Sequence, residues 1–245
     1  MPYHVGFTTK PTPMFKKLLA LLGKKAPPPA AAPQGEPPSG PIAPYAREDL
    51  NLVYNLLFCD DASLFKSGDD VTRALFSEEA EPKIVRAIAD DADEESRVRV
   101  LAYNWLHDKL QPVPPKETLG VVVEVALEEG LDVLAAYADG TARYINHTGK
   151  VSVYESHPPE IAAQARELVK AAKGMVKTPV AGIRQRHLPP AGGQVRATAL
   201  ASDGLYVNQG PFAAMASAPH TVPVMQAAQK LLDLIVAQGR GDGRP

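Results

Sequence analysis

Leu50, Val53, Tyr54 and Leu57 recur at i, i+3, i+4 and i+7, a spacing that gathers apolar side chains on one face of a helix. The stretch from Tyr45 to about Leu110 keeps this kind of period. Pro82 suits the first turn of a second helix, with Ile84, Val85 and Ile88 as its short apolar face. In "DDADEESRVRVLAYNWLHDKL" a third helix is expected, with Asp91 as cap and Glu94 as its reciprocal partner. Val98, Leu101, Ala102, Trp105 and Leu106 then face inward until Pro112 stops it.

After Thr118 the pattern changes to alternation. Four short β-like runs are separated by "EEG", "DG" and "TG", and Asp-Gly between alternating residues marks a hairpin. A three-residue loop at Glu128 to Gly130 sets Val125 opposite Val133. Two-residue loops at Asp139-Gly140 and Thr148-Gly149 set Ala135 opposite Tyr144, Val133 opposite Asn146 and Tyr144 opposite Val153. This register places Val121, Val123, Val125, Leu131, Val133, Ala135, Tyr137, Tyr144, Val151 and Val153 on one buried face. It leaves Glu124, Asp132, Arg143, His147, Lys150 and Ser152 on a wet one.

The phrase "YADGTARYINHTGK" has an echo in "ASDGLYVNQGP". Around Asp203-Gly204 the same counting puts Ala201 opposite Tyr206 and Ala199 opposite Asn208, so each hairpin pairs a tyrosine with an alanine. A helix follows each set. Ile161, Ala165, Leu168, Ala172 and Met175 line one; Val224, Ala228, Leu231 and Ile235 line the other, which Thr221 caps and Gly239 ends.

These elements predict an α+β fold: an antiparallel β-meander plus a second hairpin in one sheet, covered by two helices and preceded by a small helical lobe. The layering resembles profilin-like and Roadblock/longin-like folds, although no motif of either is matched. The expected organisation is an amphipathic leader and Pro/Ala-rich tether over 1–44, an acidic helical lobe over 45–111, the sheet domain over 117–239 and a disordered tail over 240–245. Eleven of the 24 prolines fall within the first 44 residues, hence an extended, semi-rigid tether. Within the leader, Phe15, Leu18, Leu19 and Leu22 share one helical face between lysines, the pattern of a weak helix docking on a membrane surface or a partner. Met14 is an alternative start.

Composition narrows function by exclusion. A net charge of −2 and a pI near 6.3 speak against a chain committed to nucleic acid, so no nucleic-acid partner is expected. The single cysteine, Cys59, suits a reducing compartment, and a bacterial-type cytoplasmic protein, peripheral at the membrane if residues 14–25 dock there, is expected. No Walker A loop, GxGxxG, GxSxG, HExxH or CxxC occurs. The six histidines have no metal-site spacing, and an EF-hand loop from Asp91 would put Ser96 where Gly is needed and Ala102 where Glu is needed. Neither metal nor cofactor is expected.

Two groups of residues remain as candidates. Tyr144, Asn146, Tyr206 and Asn208 would line one pocket if the two hairpins were neighbours, with His147 as a base at its rim. Arg184, Arg186, His187 and Arg196 lie in a basic Gly/Pro loop suited to an anion or acidic partner. Charge is also segregated, from −9 over residues 46–95 to +5 over 156–196, so the basic loop has the alternative of pairing within the molecule. The expected role is a non-catalytic regulatory or adaptor module binding a protein partner; the alternative is an enzyme or small-molecule sensor using the Tyr/Asn pocket.

Overall fold

A computed structural model describes residues 42–65, 72, 75–77, 79–177 and 182–241. Residues 1–41 of the leader and tether and residues 242–245 lie outside the described residues; the tether's last residues are described, and Ile42 is buried, bonded through its backbone to the Asn55 side chain. Among the described residues, helices α1 (Glu48–Leu56), α2 (Pro82–Asp90) and α3 (Ser96–Asp108) come first, with a 3-10 turn at Ala62–Phe65 after α1. Next come β1 (Thr118–Leu127), β2 (Gly130–Tyr137), β3 (Ala142–Ile145) and β4 (Val151–Tyr154), then α4 (Pro159–Val176). The chain closes with β5 (Gln194–Ala201), β6 (Gly204–Pro211), the short α5 (Phe212–Met215) and α6 (Val222–Gly241). The last helix continues past Gly239, which therefore does not stop it; Arg240 and Gly241 are helical, not tail.

All six strands form one antiparallel sheet in the order β4-β3-β2-β1-β5-β6. Both faces are covered. Against one pack α4 and α6, burying Val121, Val123, Leu134, Ala197 and Ala199 with Leu168 and Leu231. Against the other pack the N-terminal helices, where Tyr54, Leu101 and Leu106 share a core with Val122, Val133, Ala135, Tyr137 and Ile145. The helical segment and the sheet are thus joined by one apolar cluster. Ile84, expected inward, is 53% exposed, while Val85 of the same helix is buried.

The cap of α3 comes from a distance. The Asp91 side chain accepts from Asp93 N, not from the helix. Instead Ser96 N donates to Asp139 Oδ2 at 2.8 Å, and Ser96 Oγ accepts from Asp139 N at 2.9 Å. The β2–β3 turn therefore satisfies an orphan donor of the helix and ties the lobe to the sheet.

The observed register corrects all three meander turns by one residue. Leu127 pairs with Gly130, so the first loop is the two residues Glu128 and Glu129. Tyr137 N donates to Thr141 O, and Asn146 N donates to Lys150 O, so the next two loops have three residues each. Gly140 (φ 94°) and Gly149 (φ 82°) end these loops in the left-handed conformation that three-residue hairpins require. Val133 consequently faces Glu124 and Ile145, and Leu134 faces Tyr144. Val133 and Tyr144 point to opposite sides, against the expected common face. In the second hairpin Ala199 pairs with Tyr206 and Ala197 with Asn208. That is a slip of two residues, which keeps the facing.

Candidate functional site

At the centre of the sheet Glu124 on β1 and Arg196 on β5 are direct cross-strand partners. Both side chains are essentially inaccessible, and the guanidinium meets the carboxylate twice, at 2.5 and 2.8 Å. Tyr54 OH donates to Glu124 Oε1 at 2.7 Å, and Arg196 Nη1 donates to the carbonyls of Leu188 (2.6 Å) and His187 (3.2 Å). Burial and the neighbouring Glu124 hold the Tyr54 phenol well above its ordinary pKa, so it stays a proton donor. Nearby, Arg186 pairs with Asp60 and Asn55 and lies 4.2 Å from the Phe58 ring centre. Arg184 reaches Asp108 at 3.0 Å. The basic segment thus spends its cations within the molecule, on Asp108 of α3, on Asn55 of α1 and Asp60 just after it, and on Glu124 of β1. Arg186 and Arg196, read from sequence as contacts for an acidic partner, are buried latches, and His187 serves through its backbone carbonyl.

The expected Tyr/Asn pocket is divided. Its two halves lie on β3 and β6, with β2, β1 and β5 between them, or about 19 Å at usual strand spacing. Each amide is used locally. Asn146 Oδ1 accepts from Thr148 N, Thr148 Oγ1 and Lys150 N within its own turn. Asn208 Oδ1 lies 2.9 Å from His220 Nε2, and Tyr206 OH donates to Asp203 Oδ2 at 2.9 Å. Burial, then Asp203, pushes the Tyr206 phenol up to about 12.

His147 and Tyr144 do come together, around a residue the sequence reading placed on the wet face. Asp132 is buried and accepts from His147 N; its Oδ1 also lies 2.9 Å from His147 Nδ1, and its Oδ2 accepts from Tyr144 OH at 3.2 Å. Burial raises the Asp132 pKa despite these donors. The carboxylate fixes the imidazole orientation and favours a proton on Nδ1. Nε2 has no protein partner among the described residues. Because the folded pKa of Asp132 is raised, its ionisation weakens the fold as pH climbs from near 4 through the raised value. Asp132→Asn should remove that decline from a pH series of melting temperatures; an unchanged decline would locate it elsewhere.

This cluster lies beside the sheet's free edge. At the opposite edge, the start of β6 is covered by Ile183, whose N–H and C=O exchange hydrogen bonds with Leu205 at 2.9 and 2.8 Å. Among the described residues no strand lies beyond β4. Antiparallel hydrogen-bonded pairs alternate, and the bond from Asn146 to Lys150 sets the phase. Ser152 and Tyr154 therefore bond to β3, whereas the backbone N–H and C=O groups of Val151 and Val153 point outward. Their side chains are 39% and 52% exposed.

No metal-binding group of three or more His, Cys, Asp or Glu occurs among the described residues, and no described helix is long and apolar enough to cross a membrane. Comparison with known proteins gives no match to a family model, a curated protein or a solved structure.

Proposed function

We propose that this protein is a regulatory or adaptor module, without chemistry of its own, that binds a protein partner by accepting an extended segment along β4. The asymmetry of the two sheet edges carries this reading. One edge is covered at its start, where Ile183 pairs with Leu205, and the side chains farther along it are only part-exposed; the other offers outward backbone groups and exposed apolar side chains at the same two residues. Added strands take affinity from main-chain bonds and specificity from alternate side chains. The brevity of β4 limits indiscriminate pairing, a usual protection for sheet edges. A partner strand with apolar residues at alternate positions fits beside Val151 and Val153.

The test is a double substitution, Val151→Lys with Val153→Lys, which charges the edge while leaving the ladder to β3 intact. Wild-type protein should retain a partner in pull-downs from its native lysate, and the variant should lose it at unchanged melting temperature. Identical capture by both forms, or none by either, rejects the proposal.

The alternative reading, an enzyme or small-molecule sensor, draws on the Asp132–His147 pair, which resembles the orienting half of an acid–base site. No second hairpin contributes to it. A thermal-shift screen in which a metabolite stabilises the wild type but not His147→Ala would favour this alternative.

A further inference from the structure

At the opposite end of β1 from His147, four cationic side chains from three elements converge on one cleft of about 410 Å³. Arg99 comes from α3, Lys116 from the turn before β1, and Lys173 and Lys177 from the end of α4. Glu117 is the one acidic residue in the lining, and it is already bonded to Arg99 at 2.7 Å. A cleft this size is within the range that holds small ligands.

Lysines at the end of α4 would by themselves merely oppose the helix dipole. That does not account for Arg99 and Lys116, which arrive from other parts of the chain. Three further features mark the place. Lys116 holds a left-handed backbone, φ 60°, which is costly for a residue other than glycine. The β1–β5 register shifts between Thr118 and Gly120, a bulge of the kind that re-aims side chains beside sites. Thr118, 94% buried in the cleft wall, has a hydroxyl with no hydrogen-bond partner among the described residues.

From this convergence we infer that the cleft binds a small phosphorylated solute. The ammonium groups and Arg99 supply charge-assisted donors for phosphate oxygens, while the Thr118 hydroxyl gains an acceptor it otherwise lacks. The lysines surround a concavity instead of defining a plane, which favours a soluble ester over a lipid headgroup.

Inorganic pyrophosphate serves as the probe, with thermal denaturation of the full chain as the readout. At roughly a hundredfold excess over Kd the melting temperature should rise by about 5 °C. Lys173→Ala with Lys177→Ala should weaken binding by at least about tenfold without changing the unliganded melting temperature. Thr118→Val should also weaken it while leaving the unliganded fold as stable or more so, because an unsatisfied hydroxyl is removed. Absence of a shift in the wild type, or equal shifts in wild type and the lysine variant, overturns the inference. So does co-sedimentation with phosphatidylserine vesicles in protein that ignores pyrophosphate.

Discussion

Arg196→Met should destabilise the protein by about 3–5 kcal/mol, a large part of the roughly 5–15 kcal/mol that holds a typical domain folded. The methionine fills much of the same space, so the loss is electrostatic. Glu124 would keep its buried position, with Tyr54 OH as its remaining donor, and the carbonyls of Leu188 and His187 would lose theirs. Denaturant unfolding measures it. Replacing Glu124 by Leu in the same chain should recover part of the loss, since an uncompensated buried charge costs more than an apolar pair. If Arg196→Met unfolds within about 1 kcal/mol of wild type, the pair is not the anchor described here.

The second large effect is expected at Gly204. Its φ of 137° is one that side chains rarely adopt, and a Cβ there would lie 3.0 Å from both Gly182 C and Ile183 O. Those backbone atoms belong to the segment that pairs with Leu205 at the start of β6. Gly204→Ala should cost about 2–4 kcal/mol, combining backbone strain with displacement of that segment. Amide exchange at Ile183 and Leu205 should accelerate first. Gly192→Ala supplies the control: no atom crowds that position, and stability should change by less than about 0.5 kcal/mol. Equal effects at the two glycines would show that this pairing contributes nothing.

Element identity was legible because it rests on period, and period survives small errors. The stripe from Leu50 to Leu57, the alternation after Thr118 and the lines of α4 and α6 each fold as their spacing implies. Register was not legible. Taken alone, Asp-Gly implies a complete two-residue loop, but the Asp139 side chain is occupied with Thr141 N and Ser96 N, and Gly140 closes a three-residue loop. The matching phrase at Asp203-Gly204 uses its glycine differently, as the first residue of β6 after the two-residue loop Ser202-Asp203. The unequal Asp-to-Tyr spacing of the two phrases goes with these different turns.

That one-residue slip puts Asp132 in solvent and conceals the carboxylate beneath His147. Glu124, the partner of Arg196, is concealed for another reason: the helical lobe buries the face of β1 that alternation alone leaves wet. The sheet being buried on both faces removed the usual guard against such a slip, because apolar residues occur on either side. The opposite charges of residues 46–95 and 156–196 were the available clue that the basic loop turns inward, and Arg186 on Asp60 is how that balance is met.

The outward set of β4 is most directly tested by residue-resolved amide hydrogen exchange in the unbound protein. Val151 and Val153 should exchange fast, with Ser152 and Tyr154 protected between and beside them. Slow exchange at Val151 and Val153 with fast exchange at Ser152 would contradict the register and, with it, the open edge on which the adaptor role depends.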